Sequence, residues 1–213
     1  MPRTKRVLEP NGLYHVFNRR TDRQLLFPSP REYEEFLKLL EEGRHRYDIR
    51  VCAYCPLVTH WHQAIWIRED GVAPVIGYLR WLSSKHALRF RHESATRGDG
   101  HVYQDRYKAV TVRSDWHYLT LIRYIEANPL AAGLVKRAQD WPWSSLAERL
   151  GGSRRILSDG PVPLPPDWPE IVNAQHATAA DGDGGSPPGD GGRRPRGRRL
   201  SAAGTEVAYN SLP

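Results

Sequence analysis

Thr59-His60-Trp61-His62-Gln63-Ala64-Ile65-Trp66 sets two histidines, one residue apart, inside an otherwise apolar run. Side chains alternate faces along a β-strand, so His60 and His62 would project the same way, roughly 6 to 7 Å apart. Two imidazoles at that spacing suit a single metal ion. The same run shapes the local fold. A second β-rich segment covers 49–55 and is joined to 61–67 by Pro56-Leu57-Val58-Thr59, for which an antiparallel hairpin is the simplest arrangement.

Downstream, Ser114-Asp115-Trp116-His117-Tyr118-Leu119-Thr120-Leu121-Ile122-Arg123-Tyr124-Ile125-Glu126-Ala127-Asn128-Pro129 reads as one helix, capped by Ser114, given an early acid by Asp115 and ended by Pro129. Tyr124 and Asn128 stand four apart and share a face. A hydroxyl nucleophile and an amide oxygen ligand are thereby offered side by side to whatever His60 and His62 hold. Tyr118 is the competing nucleophile. Six residues at ~100° each put it on another face from Tyr124, with Ile122 at its own i+4 position, which assigns it to the core.

The flanking sequence supplies the rest of a small sheet. Residues 13–18 form a strand candidate in which Leu13, His15 and Phe17 alternate with Tyr14, Val16 and Asn18, followed by a charged loop with Arg19, Arg20, Asp22 and Arg23. Pro28-Ser29-Pro30 introduces a helix over 31–47 with Tyr33, Phe36, Leu37 and Leu40 on its core stripe. Pro74 starts a second helix to about 92, carrying Ile76, Leu79, Leu82 and Leu88 inward and Arg80, Lys85, Arg89 and Arg91 around them. A polar loop over 94–100 leads to strand-like sequence at 102–112. After a turn at Gly133, Trp141-Pro142-Trp143-Ser144-Ser145 leads into a short helix through 150, and prolines at 161, 163, 165 and 166 signal extended chain. The order β, α, β, β, α, β, α gives an α+β class, a ferredoxin-like antiparallel sheet with helices packed on one face. The chain divides into a basic arm (1–9), a domain (10–150), an extended Pro-rich segment (151–173) and a Gly/Pro/Arg-rich tail (174–213) expected to be disordered.

Composition narrows the class. In 213 residues, 39% hydrophobic content and seven tryptophans agree with a folded body. Thirty-one Lys plus Arg against 24 Asp plus Glu leave a net charge of +7, which suggests a polyanionic partner such as nucleic acid. Cys52 and Cys55 make no disulfide framework and fit a reducing compartment. With no long apolar segment at the N-terminus, neither a signal peptide nor a membrane helix is supported, and a cytoplasmic, nucleoid-associated protein is expected. Zinc held by Cys52, Cys55, His60 and His62 is an alternative. It is disfavoured because the two cysteines would face opposite sides of a continuous strand and no glycine supplies a zinc-knuckle turn.

Several ordered motifs together resemble one family. His60-Trp61-His62 on a strand, then Tyr124-Ile125-Glu126-Ala127-Asn128-Pro129 about sixty residues later, is similar to the single-tyrosine HUH transposases of the IS200 type. Tyr14-His15-Val16-Phe17-Asn18-Arg19 and Gly100-His101-Val102-Tyr103-Gln104-Asp105-Arg106-Tyr107-Lys108 resemble the REP-associated tyrosine transposases in particular. So do Ala132-Gly133-Leu134-Val135 and Trp141-Pro142-Trp143-Ser144-Ser145. The likeness covers about residues 10–150. One departure is Leu57-Val58-Thr59, where the family usually carries Pro and a polar Asn or Glu. Thr59 is therefore expected to alter the support around the histidines.

The resemblance implies cleavage and rejoining of single-stranded DNA through a covalent 5′-phosphotyrosine. Tyr124 would be the nucleophile, and His60, His62 and Asn128 would hold Mg²⁺ or Mn²⁺. The partner would be single-stranded DNA with hairpin or palindromic repeats, bound by a monomer or homodimer away from any membrane. Arg80, Lys85, Arg89, Arg106 and Lys108 are phosphate-contact candidates, with Gln104 beside them and Arg19, Arg20 and Arg23 reaching from the first loop. Tyr103, Trp81 and Trp116 would stack on unpaired bases or pack. The alternative is a catalytically silent protein of the same fold that binds DNA hairpins.

Overall fold

The computed structural model describes residues 8–21, 24–93, 101–151 and 155–177. Four strands, β1 (Leu13–Arg19), β2 (Arg50–Leu57), β3 (His60–Trp66) and β4 (Lys108–Val112), form one antiparallel sheet in the order β2-β3-β1-β4. Helices α1 (Pro30–Tyr47) and α2 (Val72–Glu93) complete a βαββαβ unit, and α3 (Asp115–Ala131), α4 (Ser145–Leu150) and α5 (Trp168–Ala177) follow. The α+β, ferredoxin-like expectation is met.

Alternation along β3 decides what each face does. Trp61, Gln63 and Ile65 turn toward α1 and α2: Phe36 packs 5.9 Å from the Trp61 ring, and Tyr78 Oη donates to Gln63 Oε1 at 2.8 Å. All three are fully buried, as are Leu40, Leu79 and Leu82. At Gly43 the two helices approach so closely that a Cβ would sit 2.5 Å from the Tyr78 ring. His60, His62 and Ala64 turn the other way, where α3 covers β2 and β3. A second helical layer thus lies opposite α1 and α2, where the sequence led us to expect helices on one face.

Other differences have local causes. The β2–β3 hairpin turns through Val58-Thr59 alone, with Pro56 and Leu57 inside β2. Strand structure expected over 102–112 is confined to Lys108–Val112. Before it, Tyr103 makes one bridge to Arg20. Leu88 is 64% exposed, because the buried stripe of α2 runs through Leu79, Leu82, His86 and Phe90 and Leu88 lies on the opposite side of the helix. Pro129 lies within α3, which continues to Ala131 before Gly133 turns the chain at φ +67°. The Pro-rich segment ends not as extended chain but as helix α5, whose Trp168 and Val172 are buried. Part of the expected basic arm (1–7), part of the first charged loop (22–23), the polar loop at 94–100 and the tail from 178 lie outside the described residues.

Cys52 and Cys55 share a face. A bulge between Val51 and Ala53 inserts Cys52 as an extra residue, which breaks the alternation that would have set the two apart. Both are buried, and burial pushes both thiols up, Cys52 to about 12. They are core residues beneath α3.

Candidate active site

His60 and His62 stand on one face of β3 with ring centroids 4.9 Å apart. Each is held through Nδ1. Thr59 Oγ1 lies 3.0 Å from His60 Nδ1, and His15 Nε2 lies 2.9 Å from His62 Nδ1. His15 reaches across from β1, where its backbone partner is Ala64, one alternation away from His62. Burial lowers His15 and His60 to about 4, helped by the charge of His117 on the first and Arg19 on the second. His62, 5% exposed, falls further for the same reason, with His60, His15 and Arg19 adding to it. All three rings are therefore neutral at pH 7, the form that offers a lone pair to a metal.

Tyr124 comes to this cluster from α3. Its ring meets His62 edge-on at 5.6 Å and His15 at 5.8 Å, yet the residue is 50% exposed. An aromatic ring is thus seated against the imidazoles with half of the residue facing solvent. Asn128 lies one turn further on, its Nδ2 donating to the Tyr124 carbonyl at 2.7 Å, a bond in which Oδ1 takes no part. Tyr118 is buried, as its helical phase implied.

The helix that presents Tyr124 is anchored from behind. Ser114 caps it by accepting from the His117 N–H at 3.2 Å. Glu126 is fully buried and accepts from Ser145 Oγ at 2.6 Å, Trp168 Nε1 at 2.7 Å and Arg149 Nε at 2.9 Å. Arg149 also donates to the Cys52 carbonyl, and Glu148 joins Tyr54 Oη to the Ile156 and Leu157 N–H groups. One carboxylate therefore ties α3 to α4 and α5, and its arginine ties them to β2.

The remaining site residues separate into two groups. Arg19 pairs with His60, and Lys108 pairs with Phe17, which in turn pairs with His62, so both cations border the histidines on the same sheet face. Lys108 Nζ lies 5.9 Å over the half-buried Phe17 ring and, two strands away, roughly 10 Å from the His62 strand position. Gln104 and Arg106 are exposed just before β4. Trp116, 79% exposed, shares a stripe of α3 with Thr120 and Tyr124, about 12 Å along the axis from the tyrosine.

By contrast, Arg80, Lys85 and Arg89 project from α2, in the layer behind the sheet, and Arg89 pairs with Glu35 at 2.7 Å. Arg20 closes its own loop onto Leu25 and Gln24 and lies 4.4 Å over Phe90. Tyr103 is 8% exposed, its hydroxyl accepting from Trp61 Nε1 at 3.0 Å and meeting His86 Nδ1 at 2.6 Å, so it belongs to the interior and not to a base-stacking surface. Trp81 is half-buried against Tyr47. Arg23 lies outside the described residues.

The donor set fits a divalent ion. His62 Nε2 is buried without a hydrogen-bond partner, and its other nitrogen is already engaged. An orphaned imidazole nitrogen of this kind is what a ligating histidine presents before it meets its metal. Among the described residues no group of three or more His, Cys, Asp or Glu could hold a metal, which sets aside the two-cysteine zinc arrangement. Any third protein donor would be of another type, as Asn128 is. Two cavities of about 560 and 490 Å³ lie away from the histidines, lined in one case by Arg44, Arg50 and Trp66 and in the other by Tyr118, Arg149 and Trp168. The histidine cluster lines neither of them: His62 is buried, His15 and His60 are half-buried, and Tyr124 is half-exposed beside them.

Residues 10–128 match the family described as "Transposase IS200 like". Among solved structures, the chain is similar to a REP-associated tyrosine transposase bound to a REP hairpin, with a TM-score of 0.54, 19% identity and coverage of 77% of this chain and 95% of that one. A candidate transposase from Deinococcus radiodurans R1 matches with a TM-score of 0.40 and 14% identity, over 59% of this chain and 96% of that one. No curated protein matches significantly in sequence.

Proposed function

Because the chain belongs to the IS200-like transposase family, we propose that it is a metal-dependent transesterase of single-stranded DNA, cutting and rejoining at hairpin or palindromic elements through a 5′-phosphotyrosine. The observation that carries this reading is the seat of Tyr124, half-exposed and edge-on to His62 and His15. The hairpin in the related structure supports the choice of partner.

The proposed roles follow from position. His60, His62 and Asn128 would hold Mg²⁺ or Mn²⁺, which when bound would withdraw charge from a nonbridging phosphate oxygen. Arg19 and Lys108 receive the strand's phosphates from either side of Phe17, with Gln104 and Arg106 beyond them, and Trp116 stacks a base. Tyr124 Oη attacks the phosphorus and forms the new O–P bond as the bond to the 3′ oxygen breaks. The phenol gives up one proton and the leaving 3′ oxygen takes up one. Attack by the 3′-hydroxyl of another strand reverses the step and restores Tyr124, so joining consumes no nucleotide cofactor.

The test is an end-labelled single strand bearing a hairpin, incubated with protein and Mn²⁺ or Mg²⁺. A denaturant-resistant adduct is expected, absent in Tyr124→Phe. Tight binding by folded protein with no adduct under either metal overturns the enzyme and leaves the silent hairpin-binding protein.

A further inference from the structure

His15 takes no part in the roles above, yet it makes the closest contact in the cluster. Its Nε2 is 2.9 Å from His62 Nδ1, and the rings stack at 5.0 Å and 27°. Phe17 backs His15 at 4.9 Å, and Tyr124 closes the other side at 5.8 Å. The diagonal reach from β1 is open because the residue directly opposite His15 is Ala64, whose methyl group leaves the space.

We propose that His15 is a positioning residue of the site: its Nε2 accepts the Nδ1 hydrogen of His62, fixing the ring orientation and tautomer that leave His62 Nε2 unprotonated for a divalent cation. This rests on the metal-dependent reading of the site. An imidazole between two nitrogen contacts has one hydrogen to place. If Nε2 of His62 is to ligate, the hydrogen must sit on Nδ1 and needs an acceptor, and His15 Nε2 is the atom there. His60 is arranged in parallel, with the Thr59 hydroxyl at its Nδ1. The same contact argues against His15 as a third imidazole ligand, because its Nε2 lone pair is directed at His62. The proximity of three histidines without a three-residue metal group agrees with that division.

Mn²⁺ uptake by the full chain, followed by calorimetry and by the electron paramagnetic signal of the free ion, separates the possibilities. His15→Phe keeps a ring against Phe17 and Tyr124 but offers no acceptor. His15→Gln restores an acceptor oxygen near the Nε2 position. We expect His15→Phe to weaken Mn²⁺ about 10- to 100-fold while thermal unfolding shifts little, and His15→Gln to stay within about threefold of wild type. Long-range ¹H–¹⁵N spectra of the Mg²⁺-saturated wild type should show His62 as the Nδ1–H tautomer. Undiminished Mn²⁺ binding by folded His15→Phe overturns the proposal alone. Equal weakening in His15→Gln overturns it too, making His15 a ligand. A wild type that takes up no Mn²⁺ overturns the metal reading and the proposal with it.

Discussion

Thr59 stands where the family usually has another polar residue, and its hydroxyl lies 3.0 Å from His60 Nδ1. A side chain one position before the histidine can make that contact because β3 begins there, and the chain is still turning. Thr59→Val, which keeps the branched shape and removes the hydroxyl, should lower Mn²⁺ affinity about tenfold, with Thr59→Ser close to wild type in the same titration. At this scale, a regular period made two placements in the site readable. Two-residue alternation put His60 and His62 on one face, and helical phase separated exposed Tyr124 from buried Tyr118. His15 was not readable as a site residue, since its partner lies 47 positions away and pairing across strands leaves no local pattern. Tyr103 failed for the opposite reason. It sits among polar residues, but its hydroxyl is satisfied from within by Trp61 and His86.

Among the elements, α3 carries Tyr124, the proposed nucleophile, and Glu126 fixes where the helix lies. Its carboxylate has no exposed surface and accepts from three side chains, one of them a largely buried arginine. Glu126→Ala would strand the Arg149 charge and the Trp168 N–H together, and breaking a buried pair from one side costs about 3–5 kcal/mol. Urea unfolding should show that loss, with a smaller one for Glu126→Gln, which keeps an acceptor. Helix phase and the Ser114 cap identified α3, whereas Pro129 suggested an end that the structure places two residues later. A helix can pass a proline when the surrounding packing compensates for one missing hydrogen bond. Bulges escape such reading altogether. Cys52 and Cys55 face α3 together because one inserted residue in β2 cancels the alternation. Helix α5 was hidden by the prolines before it, and its reason to form is tertiary: Trp168 has Glu126 to donate to.

For the molecule as a whole, the interior holds histidines in the neutral form, and this makes stability depend on acid. His86 lies among Phe27, Phe36 and Tyr103, and burial, with the nearby Arg89 charge, lowers it to about 3 from an ordinary value near 6.5. Between those values the unfolded chain takes up a proton that the fold refuses. Stability from His86 is therefore complete above about pH 6.5 and is lost as pH falls toward 3. His15, His60 and His62 are lowered too and add in the same direction. The urea midpoint should hold steady from pH 8 to 7 and drop below 6.5, with a shallower drop in His86→Phe.

The exposure of Tyr124 has a consequence for descent. Half of its surface already faces solvent, and among the described residues no hydrogen bond of its hydroxyl anchors α3, which Glu126 secures instead. Replacing a residue so placed leaves stability within about 0.5 kcal/mol. A lineage could thus lose the chemistry in one substitution and inherit the body intact, still shaped to hold a strand. Under the proposed function, selection against such loss would have to act on the cutting of DNA itself, because the fold raises no alarm when Tyr124 disappears.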